Sequence, residues 1–139
     1  MKNSISIILI LFLVKFSNAQ KISIIPEPVK IVEKKGVFIL PKIIEISASN
    51  IEDETVQFLQ SKLTKATGFK AFVNRKGRLP HITLSLNSIN DSELGAEGYK
   101  LSVSNSSVYI KANQSAGLYY GIQSLLQLLP HQIESKTLV

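Results

Sequence analysis

NQSAGLYYGIQSLLQLLP, residues 113–130, reads as one helix followed by a stop. Leu118, Ile122, Leu125, Leu126 and Leu129 recur at helical spacing on one face, with Gln123 and Gln127 on another. Asn113 or Ser115 supplies the N-cap, and Pro130, which cannot continue the hydrogen-bond ladder, ends the run. The stretch contains no charged residue. Its leucine face needs a sheet to lie on, and the residues just before it supply one. Tyr99, Leu101 and Val103 alternate with Lys100, Ser102 and Ser104, while Val108, Ile110 and Ala112 alternate with Tyr109 and Lys111. Asn105-Ser106-Ser107 joins the two runs, which makes this the clearest hairpin in the chain.

The same reading extends towards the N-terminus. Asn50 opens a first helix, with Glu52, Asp53 and Glu54 in its first turn, where carboxylates complement the positive end of the helix dipole. Val56, Leu59, Leu63 and Ala66 form its apolar stripe, flanked by Phe58 and Gln60, and Gly68 closes it just after Lys62 and Lys65. Strands come next at Phe69–Val73 and His81–Leu86, and Asn87 to Gly95 is a polar loop. Ahead of the first helix, IIPEPVKI (24–31) is extended, because Pro26 and Pro28 restrict their own and the preceding residues. VKIVEKKGVFIL (29–40) reads as a hairpin turning at Lys34-Lys35-Gly36, with Val37 to Leu40 as the return strand. Pro41 breaks it, and Ile43, Ile44 and Ile46 make a further, β-branched strand. Strands, helix, strands, hairpin, helix is the order of an α+β fold: a two-layer sandwich, a mixed β-sheet covered by two α-helices.

A chain of 139 residues, 45% apolar and 19% charged, suits one domain with a real core. It has no cysteine, so disulfides, thiolate ligands and a thiol nucleophile are excluded. Residues 1–19 read as an export leader: Lys2, then a mainly apolar run from Ile5 to Val14, then Ser17-Asn18-Ala19 as a small-x-small cleavage signal between Ala19 and Gln20. That run is too short to span about 30 Å of hydrocarbon, so no membrane association is expected after cleavage, and the mature chain is expected in the periplasm, on the outer surface or secreted. Losing Lys2 and Lys15 leaves 14 basic against 10 acidic residues, a net charge of +4. The densest basic patch, Arg75-Lys76-Gly77-Arg78, has only Phe72 as an aromatic neighbour and reads as a solvated turn, not a nucleic-acid surface.

No catalytic, cofactor-binding or metal-binding residue is assigned. Asp53-Glu54 is a carboxylate pair, but acid–base catalysis needs two carboxyls whose environments separate their pKa values, and both belong to one helix start. His81 and His131 are the only histidines, and neither has companions at ligand spacing. No serine stands in Gly-x-Ser-x-Gly, and no glycine-rich phosphate loop occurs. Tyr99, Tyr109, Tyr119 and Tyr120 could line a sugar-binding face, but read more simply as core with a polar tip. Three sequons start at Asn90, Asn105 and Asn113.

The C-terminal run 97–130 resembles the N-terminal accessory domain of bacterial β-N-acetylhexosaminidases, glycoside hydrolase family 20. The resemblance rests on Gly98, Tyr99, Leu101, Val103, Val108, Ile110 and Ala112, and then on Ala116, Gly117, Tyr120, Gly121, Gln123, Leu125, Gln127, Leu128 and Leu129, with Pro26-Glu27-Pro28 as the opening. It implies an accessory α+β module, residues 20–130, whose helices pack against a (β/α)₈ barrel. In the family that barrel binds the glycan and does the chemistry with an Asp-Glu pair and the substrate's own acetamido group. The His-x-Gly-Gly-Asp-Glu motif of that pair is absent from this sequence, and nine residues (131–139) come after Pro130 where a barrel needs roughly 250. On this reading 131–139 begins a linker, the chain stops before the barrel and is inactive alone, and it needs no cofactor. Tyr119, Tyr120, Gln123 and Gln127 are the expected barrel-docking face. The alternatives are a stand-alone carbohydrate-binding or interaction domain, or the same module ahead of an O-N-acetylglucosaminidase or α-glucuronidase barrel.

Overall fold

The computed structural model describes residues 22–50, 52–75, 77 and 81–130. The leader over 1–19 with its Ala19–Gln20 cut, Lys76, Arg78, Pro80, His131 and the linker over 131–139 lie outside the described residues. Among the described residues the elements are β1 (Ile43–Ala48), α1 (Glu54–Thr67), β2 (Lys70–Asn74), β3 (Ile82–Leu86), β4 (Tyr99–Val103), β5 (Val108–Ala112) and α2 (Ser115–Leu128). The five strands make one sheet in the order β2-β1-β3-β5-β4. β1 runs parallel to β2 and β3, β3 parallel to β5, and only the β4–β5 hairpin is antiparallel. The fold is therefore α+β, with a mixed sheet and two helices.

Strand alternation sorts the side chains. Ile44, Ile46 and Ala48 of β1, Ile82 and Leu84 of β3, and Val108, Ile110 and Ala112 of β5 point to the helix side and are buried. Val56, Leu59 and Leu63 of α1 and Leu118, Ile122 and Leu125 of α2 close over them in one core. The two helices lie side by side and run in the same direction, since Asp53 meets Ser115 at their starts and Phe58 meets Tyr119 one turn later.

The first helix begins later than its sequence implies. Glu52 and Asp53 are outside it: Asn50 Oδ1 accepts from the Glu52 N–H, and Asp53 is the N-cap, its Oδ1 accepting from the Thr55 N–H at 2.8 Å. At the other end Thr67, not Ala66, completes the buried stripe, because its hydroxyl donates to the Leu63 carbonyl and accepts from the Phe69 N–H. Gly68 then turns the chain at φ 70°, a conformation that costs glycine nothing. Neither expected cap residue caps α2. Gln114 is its N-cap without a side-chain bond. Asn113 instead turns onto the 87–95 loop, donating to the Asp91 and Gly95 carbonyls and accepting from the Asp91 N–H and the Asn87 amide. Ser115 donates to Asp53 Oδ2 at 2.7 Å.

The expected hairpin over 29–40 is not formed: residues 22–42 contain no strand. Phe38 and Leu40 pack on the core while Val37 and Ile39 face solvent, so the alternation is used to anchor an extended segment and not to pair it.

Candidate functional site

The solvent side of the helix layer carries the expected docking residues. Tyr119 and Tyr120 are 40% and 44% exposed, Gln127 is exposed and Gln123 half-buried. α1 adds two residues whose part the sequence did not announce. The Phe58 ring lies 5.5 Å from Tyr119, tilted by 47°, and Tyr119 in turn meets Tyr120 edge-on at 6.0 Å. The Lys62 ammonium sits 5.6 Å from the centre of the Phe58 ring. The face is thus an aromatic strip shared by both helices, and Lys62 places a cation beside the uncharged surface of α2.

Towards the helix C-termini the strip opens into a shallow groove of about 330 Å³, lined by Ser23, Lys62, Gln123, Leu126, Gln127, Leu129 and Pro130. Gln127 has a second task there. Its side-chain amide accepts from the Ile25 N–H at 2.9 Å and donates to the Ile25 carbonyl at 3.0 Å, pairing with that backbone as a neighbouring strand would. The structure therefore leaves Tyr119 and Tyr120 exposed on the outer face with Gln123 half-buried beside them, and commits Gln127 to the leading segment.

The glycines of 113–130 set the helix down on the sheet. A Cβ on Gly117 would lie 2.4 Å from the Gly98 carbonyl oxygen, and one on Gly121 would lie 2.5 Å from Ile110 Cγ2. Behind them the Tyr99 hydroxyl is hydrogen-bonded to the buried Ser124 hydroxyl, tying β4 to α2. These residues are a packing device.

The other candidates are likewise committed to structure. Asp53 joins the two helix starts: partial burial raises its pKa, but the hydrogen bonds from Ser115 and Thr55 outweigh this and leave it below its ordinary 3.8. It borders a crevice of about 20 Å³, room for one water and for no substrate. Glu54 is exposed in the first turn. His81 Nδ1 accepts from the Glu45 N–H at 3.1 Å while the His81 backbone N–H donates to the Glu45 carbonyl, so the residue extends the β1–β3 ladder. Among the described residues no group of three His, Cys, Asp or Glu side chains converges to hold a metal, and no helix is long and apolar enough to cross a membrane.

The family model of glycosyl hydrolase family 20, domain 2, matches residues 21–138. The search of curated protein sequences finds no match. Among solved structures, Streptomyces plicatus N-acetyl-β-hexosaminidase superposes with a TM-score of 0.69 at 28% identity, covering 79% of this chain and 22% of that one. The β-N-acetylhexosaminidase of Streptomyces coelicolor gives 0.61 at 30% identity, covering 72% and 20% respectively. That of Bacteroides fragilis gives 0.62 at 27%, covering 75% and 20%. The chain spans about a fifth of the length of these relatives. A family model matched over nearly the whole described chain, with the same fold in three hexosaminidases, means that this chain belongs to glycosyl hydrolase family 20, as its domain 2.

Proposed function

We propose that this domain is the non-catalytic accessory module of an exported β-N-acetylhexosaminidase. It packs against and supports a (β/α)₈ catalytic barrel, which alone handles the glycan and removes terminal N-acetylhexosamine. The observation that carries this reading is the domain 2 match over residues 21–138, together with three β-hexosaminidases of whose length this chain spans about a fifth. The aromatic strip Phe58–Tyr119–Tyr120 supports a docking role, since aromatics are what buried interface centres favour. The committed roles of Asp53 and His81 agree with a module that does no chemistry itself.

The experiment has two arms. The purified chain is assayed with a chromogenic N-acetyl-β-glucosaminide, and no turnover is expected; activity that co-purifies with the chain through successive columns overturns the non-catalytic reading. In the second arm this domain replaces its counterpart in the S. plicatus enzyme. Tyr119→Asp with Tyr120→Asp is expected to lower the unfolding midpoint of that enzyme while leaving the separate domain as stable as before. An unchanged enzyme would remove the helix face from the interface. Export is tested by N-terminal sequencing of the mature protein, which is expected to begin at Gln20.

A further inference from the structure

The leading segment is the least explained part of the molecule. Six large apolar side chains in fifteen residues, Ile25, Val29, Ile31, Val32, Val37 and Ile39, are exposed. Val37 and Ile39 are 74% and 79% exposed although Phe38 and Leu40, beside them, are packed on the core. Single exposed apolar residues are ordinary, whereas several gathered in one short segment point to an interaction surface.

The segment is anchored at both ends. Ile25 is clamped by the Gln127 amide, Phe38 and Leu40 are seated in the core, and Gly36 lies so close to Asn105 of the β4–β5 turn that a Cβ there would meet its side-chain oxygen at 2.0 Å. α2 runs back along β5, with Gly117 by Ala112 and Gly121 by Ile110, so its last turn and the β4–β5 turn share one end of the sandwich. The segment passes across that end, with Val37 and Ile39 turned outward.

The chain departs from the same place. Pro130, where α2 gives way to residues 131–139, lines the groove with Ser23, Gln127 and Leu129. The relatives are about five times as long as the matched region, and on the reading of this domain as an accessory module ahead of its barrel, the part that follows residue 130 is tethered beside this patch, which raises its effective concentration there. The charge favours that occupant over a second copy. Lys30, Lys34, Lys35 and Lys42 stud the segment against Glu27 and Glu33, so two copies would meet with like charge.

Resting on the reading of the domain as an accessory module, we propose that residues 29–39 are a docking strap. Val29, Val37 and Ile39 are covered by the catalytic part C-terminal to residue 130, on an apolar surface with an acidic rim. The interface would thus continue from the aromatic strip, across the groove, onto the strap.

The test compares the full 139-residue chain with the S. plicatus enzyme carrying this domain, each as wild type, as V37D/I39D and as Y119D/Y120D. V37D/I39D is expected to leave the unfolding midpoint of the separate chain unchanged. In the enzyme it is expected to speed proteolytic release of the domain on the order of tenfold. Hydrogen exchange on the wild-type proteins provides a readout free of substitutions: amides 29–39 should be protected in the enzyme and unprotected in the separate chain. Equal exchange in both overturns the proposal. So does a fall in the separate chain's midpoint with V37D/I39D, which would make these side chains internal supports. A dimer of the separate chain abolished by V37D/I39D overturns it too, since the occupant would then be a second copy. Faster release with Y119D/Y120D and none with V37D/I39D overturns the strap and leaves the accessory reading intact.

Discussion

Three residues in the helix layer carry more of this fold than their size implies. Gly117 and Gly121 let α2 touch the sheet, and alanine at either gains about 1 kcal/mol of helix propensity against an overpacking cost of about 1–3 kcal/mol. At Gly117 the new methyl would meet a carbonyl oxygen of the backbone, which cannot step aside, whereas at Gly121 it would meet a side-chain methyl of the buried Ile110. Gly117→Ala is therefore expected to destabilise the chain by about 1–2 kcal/mol, more than Gly121→Ala does, as read from urea midpoints. Asp53 acts through both carboxylate oxygens, one on the α1 start and one on Ser115 of α2. Its pKa in the folded chain is lowered, so the stability it adds is present above its unfolded value and is lost as pH falls through the folded one. Asp53→Ala is expected to cost about 1–2 kcal/mol at neutral pH. The gap to wild type should close as urea titrations move below the ordinary carboxylate range. A gap that persists undiminished in acid would mean that the charge contributes nothing.

Among the elements, what could be read from sequence was what is settled locally. The β4–β5 hairpin occupies the residues its alternation marks, and its turn is built from its own serines, Ser104 accepting from and donating to Ser107. The leading segment also carries a hairpin pattern over 29–40, yet it forms no strand, because a strand needs a neighbour and the pattern does not name one. The aromatic strip of the helix layer was legible for the same reason only in part. Tyr119 and Tyr120 are adjacent on one helix, but Phe58 reaches Tyr119 from the other helix, and Gln127 finds Ile25 across 102 residues of chain. That last contact gives a clean test. Gln127→Leu keeps the helix and removes both bonds to Ile25. It is expected to raise amide exchange at Ile25 and proteolysis over 22–30 while shifting global stability by about 1 kcal/mol or less, since it opens the segment locally. A large global loss would make the clamp part of the core.

Over the whole molecule the sheet has two unlike faces. Where the helices lie, Ile46, Ile82, Ile110 and Ile122 are sealed. On the other side the strand register sets Asn74, Ser47, Thr83, Tyr109 and Ser102 in one row across all five strands, a row of amide and hydroxyl groups with one ring. Sheets dominated by parallel pairs are usually covered on both faces and read as continuous apolar runs. Here the alternation of β3 and β5 is polar outward, so a mixed sheet covered by helices could be read from sequence while the strand order could not. The two faces predict opposite responses at neighbouring positions of β5. Ile110→Ala should cost about 2–5 kcal/mol, because it empties a fully buried site. Tyr109→Ser removes a ring that is 41% exposed and stands opposite Ser102 and Thr83 in the register, so about 1 kcal/mol at most is expected. Urea unfolding of both variants decides the matter. Comparable losses would mean that the outer face of the sheet is covered in solution, and a loss at Tyr109 that grows with protein concentration would identify the cover as another copy of the chain.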